Sequence, residues 1–281
     1  MRNILLFFMI LALQVTEAQD YDSNPYFQFT EGDTVHLFSE NVNIYEYPDF
    51  ESAVICKYKA GNKLILKDKE EIIAVKNGLS VPFYELSPQP GQSFKKGFIW
   101  SGDIAMKSEN FSKDQNLIFL FGISKIEKSK EKNKADELYL CCKILSNDKL
   151  LANKEFKALG DLSFYRYLNV YDNKGVRGIK NILNFELRNY YNAGDYGTQV
   201  LFWDGKKISV VRDMKNTDDP PCYYTENLIY PNDDEGVKDY ILIKSLNGCN
   251  EGDQKIEEKT GQYSWKKNKL KLLLETKTTY K

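Results

Sequence analysis

Asp136-Glu137-Leu138-Tyr139-Leu140-Cys141-Cys142-Lys143-Ile144-Leu145 decides the fold. Leu138, Leu140, Cys142 and Ile144 recur at every second position, so in extended backbone they share one face. Residues 181–191 repeat the pattern, with Leu183, Phe185 and Leu187 set against Asn184, Glu186 and Arg188. One face packs and the other is left to water, as in antiparallel sheets covered on a single side.

Downstream of 114 the same reading gives strands at 116–124, 136–145, 150–157, 162–171, 181–191, 198–203, 208–213, 223–230, 238–245, 253–265 and 270–275. Trp203-Asp204-Gly205-Lys206-Lys207-Ile208 is a hairpin signal, its Asp-Gly pair suiting a type I′ turn. Trp265-Lys266-Lys267-Asn268-Lys269-Leu270 echoes it. A meander, a sandwich or a degenerate propeller would accommodate such hairpins. No stretch of helical length keeps a 3.6-residue period with caps at both ends.

Upstream, short strands at 34–38, 42–46, 53–57, 63–67, 72–76, 81–86 and 96–100 are separated by Asn, Gly, Pro and Ser clusters. So many short strands in a small span imply a little barrel. The expected architecture is all-β: a polar segment at 19–33, a barrel at 34–107, a linker at 108–115 and a larger antiparallel domain at 116–281. The charged run 125–134 reads as a solvated hairpin tip, and the sequon Asn110-Phe111-Ser112 falls in the linker. The 19 Tyr and 16 Phe suit pleated, half-buried surfaces.

Arg2 and Asn3 precede an apolar run at 4–13, and Thr16-Glu17-Ala18 ends in a small residue where a signal peptidase cuts. Residues 1–18 are therefore expected to be a signal peptide, and the exported chain to start near Gln19 and to work in the periplasm or outside the cell. The run falls short of the roughly 20 residues that a spanning helix needs, so no transmembrane anchor is expected in the mature chain. With 39 Lys+Arg against 40 Asp+Glu, the chain lacks the basic surplus that a nucleic-acid partner demands.

The 5 cysteines of an exported chain suggest one or two disulfides. Cys222 follows Asp219-Pro220-Pro221 and Cys249 follows Asn247-Gly248, turn chemistry that could bring two loops together, so these two are the expected pair. Of the adjacent Cys141 and Cys142, one should be buried, and Cys56 reads as a small core residue. No Cys-x-x-Cys or His cluster offers a metal site, and no cofactor is implied.

Val42-Asn43-Ile44-Tyr45, Pro48, Ser52-Ala53-Val54-Ile55, Lys59-Ala60-Gly61-Asn62-Lys63-Leu64 and Gly97-Phe98-Ile99-Trp100 resemble, in their order, the strands and turns of bacterial SH3 modules. The likeness covers about a quarter of the chain. With the leader and the aromatic region that follows, the whole is similar to exported SH3-domain proteins of the Bacteroidota type. What the resemblance implies is recognition of wall peptide, glycan or protein. Tyr45, Tyr47, Tyr84 and Trp100 are the barrel aromatics that could stack on such a ligand, about half of them being needed for the barrel's own core.

His36 is the only imidazole and lies in a strand, where a satisfied structural histidine is the simpler reading. No Gly-x-Ser-x-Gly elbow is present, and no cysteine stands at a helix start that would lower its pKa. The acidic clusters Asp218-Asp219 and Asp233-Asp234-Glu235 flank Pro or Gly and read as turns, with neither calcium-loop spacing nor a visible partner. The expected function is thus a non-enzymatic cell-envelope protein binding cell-wall material or another envelope protein. A glycan hydrolase working through two carboxylates, or an inhibitor or scaffold of a secreted enzyme, are the alternatives.

Overall fold

The computed structural model describes residues 27–87, 95–111, 116–130, 136–159, 164–189, 196–219, 221–249 and 256–280. The expected signal peptide, most of the polar segment after it, part of the charged run 125–134 and the last two residues of the expected strand 181–191 lie outside the described residues. The described chain is all-β and contains no helix long and apolar enough to cross a membrane.

Among the described residues eighteen strands form three antiparallel sheets. The first holds β1 (Thr34–His36), β2 (Val42–Tyr45), β3 (Val54–Tyr58), β4 (Lys63–Lys76), β5 (Leu79–Leu86) and β6 (Phe98–Trp100), curled in the order β1-β4-β5-β6-β2-β3. Where two strands were expected at 63–67 and 72–76, β4 runs unbroken through Lys67-Asp68-Lys69-Glu70-Glu71, with register irregularities against β5. That stretch is polar but contains no Gly or Pro, so the backbone bends without stopping.

A central four-stranded sheet, ordered β10-β9-β8-β7, is built from β7 (Lys107–Phe111), β8 (Leu117–Glu127), β9 (Glu137–Ser146) and β10 (Lys149–Lys157). The expected linker is, through Phe111, the edge strand β7, paired from Lys107 opposite Phe121 to Phe111 opposite Leu117. Lys-Ser-Glu-Asn shows no alternation because this edge strand is exposed along almost its whole length. The third sheet is an eight-stranded meander in sequence order: β11 (Phe164–Tyr171), β12 (Asn181–Asn189), β13 (Tyr196–Trp203), β14 (Ile208–Asp219), β15 (Cys222–Ile229), β16 (Ile241–Cys249), β17 (Ile256–Lys266) and β18 (Lys269–Tyr280).

Alternation on β8 and β9 sorts their side chains into two cores. Phe119, Phe121, Leu140, Cys142 and Ile144 pack with Phe83 and Trp100 of the curled sheet and with Phe185, Leu201 and Trp203 of the meander. Leu120, Cys141 and Leu145, pointing the other way, pack with Phe38, Ala60 and Ala105. The central sheet is therefore covered on both faces, where one wet face was expected, and both adjacent cysteines are buried. Gln199, also buried, ties the meander to the central sheet by donating to the Lys157 carbonyl and the Asp213 carboxylate, each at 3.0 Å.

Cys222 and Cys249 face each other across β15 and β16 and are bonded, as the turn chemistry suggested. Their cross-link closes a loop across a sequence separation of 27. Replacing both with serine is expected to lower stability by about 2–4 kcal/mol, measured by urea unfolding. An unchanged midpoint would show that this bond restrains little of the unfolded chain.

Candidate functional site

The four barrel aromatics do not form a binding surface. Tyr45, Tyr84 and Trp100 are buried, while Tyr47 alone is exposed, at 63%. Tyr45 packs edge-on against Phe50 and Phe83. The Tyr84 hydroxyl donates to the Phe27 carbonyl at 2.5 Å, and Trp100 Nε1 donates to the Ala74 carbonyl at 3.1 Å. So small a barrel uses Tyr45 and Tyr84 as its own core, Tyr47 is left exposed, and Trp100, though buried, also borders a cleft.

A concavity lies instead where the curled sheet meets the central one. It is a cleft of about 450 Å³ walled by Phe38, Ser39, Asp103 and Trp100 on one side and by Ser124, Cys141, Lys143, Asn153 and Glu155 on the other. The tip of the β4–β5 hairpin, Lys76-Asn77, closes one end. Asn77 and Gly78 both have positive φ, 54° and 77°, which makes a tight two-residue turn. The tip is fixed to β8 by a 2.9 Å bond from the Ile126 amide to the Asn77 carbonyl. Gly78 sits against the Ile126 carbonyl oxygen, which a β-carbon would approach to 2.3 Å. The opposite wall is set by Gly122, whose missing side chain lets the Phe38 ring lie directly on β8.

Two charged groups in this cleft are more than nine-tenths buried. Asp103, 3% exposed, accepts hydrogen bonds at Oδ1 from the Ser39 hydroxyl at 2.5 Å and from Lys76 at 3.4 Å. Its backbone carbonyl accepts the Phe38 amide at 2.8 Å, so this residue fixes the loop that follows β1. Lys143, 8% exposed, donates to the Phe38 carbonyl at 2.9 Å and lies 4.6 Å from the centroid of the Phe38 ring. Among the described residues no carboxylate lies within ion-pair distance of Lys143. An ammonium has three N–H donors, and a buried charge is costly unless its donors and charge find partners. The cleft thus holds a cation whose surroundings an anionic group would complete.

Three acids line the cleft: Glu40 is exposed at its mouth, and the other two are committed. Glu155 accepts the Ser124 hydroxyl and lies 3.8 Å from Lys125, and Asp103 is paired with Lys76. Elsewhere, Glu85 shows the direction these pairings take. Burial alone would raise its pKa, but the hydrogen bonds and charges of Lys67 and Lys96 outweigh it and hold the carboxyl below its usual range. Asp136, Asp204 and Glu257 are lowered too, the direction opposite to that of a general acid. Asp233 closes its loop by accepting the Tyr230 amide at 2.8 Å and pairing with Lys174 at 3.1 Å, as expected of a turn.

His36 touches a hydroxyl: its Nδ1 is 2.9 Å from Ser108 Oγ. The contact lacks the rest of a nucleophilic centre, because buried Nε2 has no partner among the described residues and so no carboxylate orients the ring. Burial, with a smaller contribution from the Lys63 charge, pushes the imidazole pKa down. The unfolded chain, titrating near 6.5, then binds more protons than the folded one, so stability falls as pH drops below about 7 towards the lowered folded value. His36→Asn, which preserves the bond to Ser108, is expected to flatten the stability slope between about pH 7 and pH 5, measured by urea titration at each pH. An unchanged slope would place the acid sensitivity elsewhere.

No family model, curated protein or solved structure matches the chain. The functional reading therefore rests on the chemistry of the cleft. Sequence reasoning passed over Lys143, Asp103 and Ser39. The available signal is a lysine set among apolar neighbours on both sides, from Leu138 to Leu145.

Proposed function

We propose that the chain is a non-enzymatic binding protein of the cell envelope, whose cleft between an SH3-like barrel and the central sheet holds a carboxylate-bearing segment of cell-wall peptide or glycan, or of an envelope protein. The observation that carries this reading is the buried Lys143 ammonium, which has a carbonyl and a ring face as neighbours but no counter-ion among the described residues. Ser39, Asn77 and Asn153 add neutral hydrogen-bonding groups around it, a mixture suited to orienting a polar ligand. The leader-like residues 1–18 and the Cys222–Cys249 disulfide are compatible with an oxidising compartment outside the cytoplasm. The hydrolase reading has less support, since of the three acids that line the cleft Asp103 and Glu155 are already engaged with lysines and hydroxyls, which leaves Glu40 without a second free carboxylate to work with.

The experiment is co-sedimentation of the chain from Gln19 onward with purified peptidoglycan, alongside Lys143→Met. Retention of the native protein, and its loss in the methionine form, supports the proposal; equal behaviour of the two removes it. A scaffold role would draw on a different feature, the exposed Leu272, Leu273 and Leu274 of edge strand β18. There a register irregularity opposite Gln262 and Tyr263 blunts the edge against strand addition.

A further inference from the structure

The meander carries a second concavity, remote in sequence from the cleft. On one face of β14 to β17 the apolar positions Met214, Leu228, Ile243 and Tyr263 pack beneath the loops that flank the sheet. One step along the same strands, on the same face, the side chains become Arg212, Glu226, Ser245 and Gly261. Nothing in the fold requires charge there, because neighbouring positions on that face are filled with apolar residues. The depression has a volume of about 210 Å³.

Its floor is rigid. Glu226, 8% exposed, accepts Arg212 Nη2 at 2.6 Å and the Lys215 amide at 3.3 Å, while its own amide donates to Asn216 at 2.7 Å. Burial, and after it the neighbouring Glu226, raises the pKa of the Tyr224 phenol, which stays neutral beside that carboxylate. Among the described residues Arg212 Nε is buried without an acceptor, a cost that a merely solvated patch gives no reason to retain. Gly261 does not have the positive φ that would demand glycine, so the reason for it is space. A β-carbon there would lie 2.6 Å from the Tyr263 ring, so its absence lets that ring lie flat over the strand at the edge of the depression.

The charges around the rim neutralise one another. Glu257 is paired with Lys259 at 3.0 Å and with Lys277, and these hydrogen bonds keep its carboxyl ionised. A charged ligand would have to break such pairs, whereas a hydroxyl can donate to a carboxylate and accept from an ammonium without disturbing them. Partly exposed Tyr224 and Tyr263 offer ring surface to the apolar C–H face of a sugar. The lining reaches from Arg212 on β14 to Glu275 on β18. At roughly 4.8 Å per strand that spans about 19 Å, room for a short chain of rings. We infer that this face of the meander is a binding site for a neutral oligosaccharide, distinct from the Lys143 cleft.

The test is a titration of the ¹⁵N-labelled chain from Gln19 onward with cellotetraose, maltotetraose and chitotetraose, followed by amide chemical shifts. At least one is expected to shift Tyr224, Ser245 and Gly261 saturably with a millimolar Kd, corresponding to about −4 kcal/mol. Tyr224→Ala, or Lys259→Ala at an exposed position should the first variant fail to fold, is expected to weaken binding at least about fivefold, and Lys143→Met to leave it unchanged. Absence of saturable shifts with all three sugars at about 20 mM overturns the inference. So do shifts centred elsewhere, or shifts indifferent to whichever of the two variants folds.

Discussion

Gly122→Val is expected to lower the unfolding free energy by about 3 kcal/mol, near the upper end of typical overpacking costs, measured as a reduced urea midpoint at an unchanged slope. Gly122 lies in the middle of β8 opposite Cys141, and a β-carbon there would lie 2.5 Å from the buried Phe38 ring. Neither partner can yield cheaply. The strand is held by β7 and β9 on its two sides, and the ring is confined by Ala60, Ala105, Leu120 and Leu145. Because the Phe38 carbonyl and ring are also the two neighbours of Lys143, the substitution should disable the cleft together with the fold. Phe38→Leu in the valine background should recover part of the stability, since the clash is between these two side chains. A valine form as stable as the native protein would mean that the curled sheet does not dock on β8 in this way.

Lys143→Met is expected to do the reverse, leaving stability within about 1 kcal/mol while weakening ligand binding about ten- to hundredfold. Methionine keeps the length and apolar stem of lysine while removing a buried charge, a replacement that is often neutral or stabilising. The Phe38 carbonyl loses one donor, a loss of about 1 kcal/mol set against the relief of ion desolvation. A charged hydrogen bond to a ligand is worth about 1.5–3 kcal/mol, which sets the expected loss of affinity. A structural lysine would give the opposite result, with unfolding and binding failing together.

Much of the fold was legible because alternation is local. Leu138, Leu140, Cys142 and Ile144 do share a core, and Leu183 and Phe185 reach the same one. The two Trp-led hairpins are both present. Trp203 pairs with Ile208 across a four-residue loop, longer than the two-residue turn expected, in which Asp204 accepts the Lys206 and Lys207 amides. Trp265 pairs with Leu270 across Lys267 and Asn268, both at positive φ. Alternation cannot tell what covers a face, however. The face of β9 that carries Cys141 and Lys143 reads as the wet one, yet Phe38, Ala60 and Ala105 from far upstream cover Cys141, and Phe38 also covers Lys143. The same long-range packing turned Tyr45, Tyr84 and Trp100 from candidate ligand platforms into core. The meander groove was hidden for a related reason, since its polar residues look like the solvated side of each strand until five strands are laid together.

The central claim is that the Lys143 ammonium reads a carboxylate on a bound ligand. The most direct measurement is calorimetric titration of a soluble wall muropeptide with free carboxylates, and of its fully amidated form, into the native protein and into Lys143→Met. The account predicts that amidation weakens binding to the native protein at least about tenfold and has no effect on the methionine form, a coupling of about 1.4 kcal/mol or more. Equal affinity of the native protein for acid and amide, or no binding of either, would contradict it.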